Sequence, residues 1–215
     1  MRITIITKLG LVIIYLLLAI SCNSNTQIKQ SETERTEEDA KEKNIRELRM
    51  KADSALIYSK SKGLNTNYCI LIDFSIHSGK NRMFVWDFIG DSIKYEGLCC
   101  HGIGKGSTPS QPVYSNEEGS LCTSLGRYKI TNRYISSWGI KIGYQLYGLD
   151  ITNSNALKRI VTLHSHTPVP TEEIYPRHLP MGYSHGCTVI SDSYMYNIDK
   201  LLKDNTKSLL LWIYE

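Results

Sequence analysis

The sequence predicts a mainly β fold, a sandwich or barrel-like sheet with one or two helices. Three observations lead there. After Asn65 the chain becomes a series of short apolar runs of strand length, bounded by Gly, Asn, Asp and Ser. Only two stretches carry apolar residues at the three- and four-residue spacing of a helix, one before this region and one near its end. No internal repeat is visible, which argues against a solenoid or propeller. A chain of 215 residues holds one medium domain with accessory segments rather than two full domains.

The first segment reads as targeting, not structure. Arg2 and Lys8 mark a short basic start, and the uncharged apolar run from Leu9 to Ile20 is shorter than the about 20 residues a bilayer span needs. It ends in Leu18-Ala19-Ile20-Ser21-Cys22, which resembles a bacterial lipobox. Residues 1–22 are therefore expected to be a signal peptide, with Cys22 lipidated and the domain exported, facing the periplasm on a membrane anchor. Residues 23–40 are rich in Thr, Glu, Ser and Gln with almost nothing to bury, and are expected to be a disordered tether. Ile45, Leu48, Ala52, Ala55 and Leu56 then recur at helical spacing, so a helix is expected over 41–63, stopped by Gly63.

The domain from residue 64 to 215 follows as strands. Tyr68 to Phe74 and Arg82 to Ile89 are apolar runs between polar turns, and Gly90-Asp91-Ser92 turns the second into a hairpin with Ile93 to Cys100. Tyr128 to Ile130, Gln145 to Leu149, Arg159 to His164 and Leu209 to Ile213 complete the set. Met195, Ile198, Leu201 and Leu202 predict a helix over Asp192 to Lys203. Export permits disulfides, and Cys69 could meet Cys99 or Cys100. Adjacent strand residues face opposite ways, however, so both cannot share one partner, and small buried thiols are the simpler reading. The net charge of +4 is dispersed, with no basic stripe among aromatics, and excludes a nucleic-acid surface.

Ser184-His185-Gly186-Cys187 carries the chemistry. A cysteine is nucleophilic when its thiolate is accessible, held by a tight turn and close to a base. Gly186 supplies the turn, and the run Arg159 to Leu163 ends in His164, a candidate base on a separate strand. The backbone N–H groups around Gly186 and Cys187 are natural oxyanion donors.

These residues resemble the L,D-transpeptidase catalytic domain family of the YkuD type, in which a strand ending in His precedes a loop and then Ser/Thr-His-Gly-Cys. Here the pattern reads His164-Ser165, a loop, and Ser184-His185-Gly186-Cys187. Thr123-Ser124-Leu125-Gly126-Arg127-Tyr128 is similar to the family's Thr-Pro-x-Gly-x-Phe/Tyr segment, with Ser124 for proline, and His101-Gly102-Ile103-Gly104-Lys105-Gly106 to the glycine-rich strand end before it. Ser115 to Ser120, Leu146-Tyr147-Gly148-Leu149 and Asn155-Ala156 resemble a divergent branch of the family found in Bacteroidota-type bacteria. The similarity runs from about Asn67 to Tyr214. Thr188 departs from the usual apolar residue or proline after the cysteine, and the loop from His164 to Cys187 is longer than usual.

The resemblance implies acyl transfer on peptidoglycan stem peptides, without cofactor or metal. Cys187 attacks the carbonyl between the position-three diamino acid and the following D-alanine, and His164 moves the proton. Ser165 is the positional candidate for the group that orients the histidine. His185, Ser184, Tyr183 and Arg127 are candidate substrate contacts, with Arg177 a further one, since arginine pairs with carboxylates. The acyl group passes to an amine or to water, the latter being L,D-carboxypeptidase-type hydrolysis. Pro168, Pro170, Pro176 and Pro180 stiffen the Thr167–Pro180 loop, either as a wall over the cleft or as a rigid excursion. Two rivals are weighed. His164 and His166 with Cys187 or His185 could ligate zinc, though no acidic motif of metalloprotease spacing accompanies them. A non-catalytic wall-binding lipoprotein is the other, opposed by the presence together of His164 and Cys187.

Overall fold

A computed structural model describes residue 39 and residues 41–215 of the chain. The leader expected at 1–22, with Cys22, and the tether expected at 23–40, residue 39 apart, lie outside the described residues. Two compact units divide between Glu47 and Leu48. Of the first, the described residues are helical and carry an exposed i,i+4 ion pair, Lys43 to Glu47 at 3.9 Å. The second is the domain that holds the site.

That domain opens with helix α1, residues 48–62, and continues as β1 Tyr68–Asp73, β2 Met83–Asp87, β3 Ser92–Gly97, β4 Gly126–Ile135, β5 Ile142–Gly148, β6 Thr162–Ser165, β7 Thr188–Ile190, α2 Asp192–Lys203 and β8 Leu210–Tyr214. The eight strands form one sheet in the order β3-β2-β1-β8-β4-β5-β6-β7. Beyond β3 the chain reaches round to the far edge, where the Cys100 N–H donates to the Val189 carbonyl of β7 at 2.9 Å. The sheet is thereby nearly closed, and the expected mainly β, barrel-like fold is present.

Period-two alternation assigns the two faces. Ile70 and Ile72 of β1 turn inward to a cluster with Val85, Tyr128, Leu163, Leu211 and Ile213, which α2 completes with Met195, Ile198 and Leu201. Cys69 and Leu71 turn outward to Trp86 and Leu210, where Leu48, Ala52 and Ala55 of α1 cover them. The Ser191 side chain caps α2 by accepting the Tyr194 N–H. At about 1 kcal/mol that cap is outweighed by three buried apolar side chains at about 1.5–3 kcal/mol each. Packing holds this helix.

A third cluster, Leu98, Cys100, Val169, Leu179 and Val189, pins the loop before Cys187 to the β3–β7 closure. Cys69, Cys99 and Cys100 thus belong to three different clusters, and all five described cysteines are free.

The structure departs from expectation at three places. No strand was expected between Cys187 and the helix from Asp192, but β7 lies there, because Thr188, Val189 and Ile190 are all β-branched and pair in parallel with β6. Strand β4 runs on to Ile135, past a register shift between Ile130 and Arg133. Arg159 and Ile160 precede β6 rather than belonging to it, with Ile160 at φ 56°.

Candidate active site

Parallel pairing of β6 with β7 builds the site. The register sets Leu163 beside Thr188 and His164 beside Val189, so Cys187 arrives next to Thr162 at the start of β6. Alternation places Thr162 and His164 on the same side of that strand. The Thr162 Oγ1 lies 3.5 Å from the Cys187 Sγ, and the Ile160 carbonyl accepts from that thiol at 3.8 Å. The His164 Nδ1 is 3.0 Å from the Ser165 carbonyl, to which it donates, which leaves Nε2 for Cys187.

The two groups shift in opposite directions. Burial pushes the Cys187 thiol up, but hydrogen bonding to His164 and Thr162 outweighs it and leaves the thiol below its ordinary value. Burial pulls His164 down, while its bonds to Cys187 and the Ser165 carbonyl prevail and leave it raised. Both shifts favour a thiolate beside an imidazolium, and the pair titrates as a unit.

The turn that presents Cys187 is tightly specified. Gly186 sits at φ 104°, and a Cβ there would lie 2.6 Å from the Cys122 carbonyl oxygen, so no other residue fits without displacing the 115–124 loop. The Ser184 hydroxyl accepts from the Gly186 N–H at 3.1 Å and donates to the Cys187 carbonyl at 2.7 Å. Beneath the turn, the Arg159 guanidinium donates to the carbonyls of Ser115 at 2.9 Å and Cys122 at 2.5 Å, and to the hydroxyls of Ser120 and Ser124.

Of the residues expected at the site, His164, Ser165, Ser184, Gly186 and Cys187 are brought together. Ser165 contributes its carbonyl to His164, while its hydroxyl accepts the Ile140 N–H at 3.0 Å. His185 is exposed on the turn. Tyr183 packs against the third cluster beside Cys187, with its ring edge-on to His166, whose other neighbour is Trp138, both at 5.2 Å. Arg127 is placed elsewhere, in an ion pair with Asp150 and over the Tyr58 ring on the α1 face. Arg177 is exposed on the 167–180 loop, and the loop is tied to the 77–81 turn. The Gly79 carbonyl accepts the N–H groups of Ile174 and Tyr175, and the His178 Nδ1 lies 2.9 Å from the Ser78 hydroxyl. Among the described residues, no three His, Cys, Asp or Glu side chains are grouped to hold a metal.

Thr162 and Arg159 are the residues that sequence reasoning missed. Thr162 stands two residues before His164, and period-two alternation alone could have found it. Arg159 had no such signal, since its partners are groups in residues 115–124 that only the fold brings near.

Residues 39–214 match the L,D-transpeptidase catalytic domain family. No curated protein matches significantly. Among solved structures, the helical cell shape determining protein Pgp2 from Campylobacter jejuni matches at 11% identity and TM-score 0.45, covering 69% of this chain and 47% of that one. An L,D-transpeptidase from Xylanimonas cellulosilytica matches at 13% identity and TM-score 0.39, covering 69% and 60%. Bd1075 from Bdellovibrio bacteriovorus matches at 17% identity and TM-score 0.41, covering 71% and 49%. The match thus spans about half the length of Pgp2 and of Bd1075.

Proposed function

The chain belongs to the L,D-transpeptidase catalytic domain family, and we propose that it catalyses cysteine-dependent acyl transfer on peptidoglycan stem peptides. The observation that carries the proposal is the β6–β7 register that brings Cys187 beside His164, the two groups shifted in opposite directions, at a turn only glycine can make. A structural cysteine of this fold would have no need of such a partner.

The steps follow from the geometry. His164 accepts the thiol proton, held in the required tautomer by the Ser165 carbonyl. The thiolate attacks the carbonyl after the diamino acid and forms the C–S bond. The Gly186 N–H is already given to Ser184, so the Cys187 N–H is the backbone donor we assign to the oxyanion. Collapse breaks the C–N bond, His164 returns its proton to the leaving D-alanine amine, and a thioester remains. A side-chain amine of a second stem, or water, then takes the acyl group and the thiol is restored. Tyr183 and His185 flank this path as substrate contacts. Lipidation at Cys22, outside the described residues, would hold the domain at a membrane beside its polymeric substrate, facing the periplasm.

Incubation with purified muropeptides, read by product mass, is the test. Loss of D-alanine with cross-linked or exchanged products is the expected outcome. Hydrolysed tripeptide alone would make the enzyme a carboxypeptidase, and unchanged muropeptides with no trapping at Cys187 would leave a binding protein.

A further inference from the structure

Tyr134 of β4 stands two strands away from β6, yet its hydroxyl ends 3.0 Å from the Thr162 Oγ1 of that strand. The register explains the reach. Tyr134 pairs with Gly143 of β5, and Gly143 pairs on its other side with His164. Strands lie about 4.8 Å apart, so the ring must pass over β5, and any side chain at Gly143 would collide with it. The glycine leaves the gap that the tyrosine fills.

We propose that Tyr134 is a positioning residue for the nucleophile, acting through Thr162, a role that rests on Cys187 being the attacking group. The bond runs from the Tyr134 hydroxyl to the Thr162 oxygen. With a lone pair so occupied, the Thr162 hydroxyl proton is directed to the Cys187 sulfur 3.5 Å away. A hydroxyl that donates stabilises the thiolate; one that accepts from the thiol does the opposite. By filling one of the two lone pairs of that oxygen, Tyr134 therefore biases Thr162 toward donating. The other titratable or charged groups around the sulfur are His164 on β6, His166 beyond it, Tyr183 before the turn and Arg159 beneath it. None of these touches the Thr162 oxygen in place of Tyr134.

The test is the pH dependence of iodoacetamide alkylation in the full chain, read by peptide mass at Cys187, with the thermal unfolding midpoint as a control. Tyr134→Phe keeps the ring, so the midpoint of unfolding should hold. The alkylation midpoint should rise by about half to one pH unit, slowing the reaction at neutral pH by about three- to tenfold. Thr162→Val should shift it at least as far, Thr162→Ser should restore it, and the Tyr134→Phe/Thr162→Val pair should go no further than Thr162→Val alone. An unmoved midpoint in Tyr134→Phe, or effects that add in the pair, would overturn the role. Dependence on Cys187 is read separately. If Cys187→Ala still turns over muropeptides while the Tyr134→Phe midpoint moves, the nucleophile assignment fails and the positioning of the sulfur stands.

Discussion

Two cysteines flank the same three-residue strand and are set for opposite fates. Cys187 enters β7, and Cys100 pairs with Val189 in its middle. Burial drives the Cys100 thiol far up, helped by its neighbour Cys99 and only weakly opposed by Arg82. Cys99 itself is pushed up to about 12. Burial pushes on Cys187 in the same direction, yet its thiol falls below the ordinary value, because His164 and Thr162 both meet the sulfur. Burial alone makes a thiol inert; directed partners in the same setting favour the thiolate instead. The largest expected contrast follows. Cys187→Ala should abolish product formation and covalent trapping, since no other group supplies the attacking electrons. Cys100→Ala should keep both, at some cost in stability from the vacated space. Muropeptide turnover and electrophile labelling of the two variants check it, and turnover by Cys187→Ala would refute the central assignment.

Removing the partner should push Cys187 toward the behaviour of Cys100. In His164→Ala the burial that raises the thiol persists, while its strongest opponent is gone. The reactive species is the thiolate, present above the thiol's pKa, so the ascending limb of the pH–rate profile should move to the alkaline side. At neutral pH the loss should be on the order of 10²-fold or more, which includes the proton transfers themselves. His166→Ala should cost much less, because its ring meets Trp138 and Tyr183 instead of the sulfur. A profile for His164→Ala whose limb stays in place would mean that some other group lowers the thiol.

How much of this was legible in the sequence depends on the range of the interaction. Alternation and turn residues are local, and they revealed the strands and the α2 boundaries. The Ser184–Cys187 turn was legible because a tight turn needs a particular local residue. Strand β7 was missed because three residues are too few for a period to register. Arg127 illustrates the other limit: residue type suggested a carboxylate partner, and the fold supplies an internal one, Asp150. The position of Tyr134 over Gly143 is a property of register across three strands, and one chain read in order contains no trace of it.

Arg159 distinguishes the two cysteines by a third route, through the floor of the turn. Its guanidinium holds the Ser115 and Cys122 carbonyls and two hydroxyls, and the Cys122 carbonyl in turn lies against Gly186. Arg159→Met should leave those carbonyls without their charged donor and destabilise by about 3 kcal/mol, roughly 6–12 °C in Tm. Trapping at Cys187 should slow by about tenfold, a displacement cost typical of a loosened catalytic geometry. Thermal unfolding and trapping kinetics on one preparation measure both. Stability lost with trapping unchanged would make Arg159 a tie within the 115–124 loop and nothing more.

The smallest effect expected is at Ile160, and its sign is informative. A β-branched residue at φ 56° is strained by about 1–2 kcal/mol, and its side chain is 75% exposed, so little packing repays that strain. What the conformation does is aim the Ile160 carbonyl at the Cys187 thiol, 3.8 Å away. Glycine adopts that φ freely but loses more entropy on folding, by about 0.5–1 kcal/mol. Ile160→Gly should therefore come out more stable by about 0.5 kcal/mol, the balance of those two contributions. Asparagine tolerates the left-handed region without glycine's freedom, so Ile160→Asn should be the more stable of the two. Both should retain the trapping rate at Cys187, because a carbonyl that accepts from the thiol holds the protonated form and loosening it does not disfavour the thiolate. Differential unfolding and trapping rates decide the matter. If both variants are less stable than the parent, the exposed isoleucine contributes something other than strain.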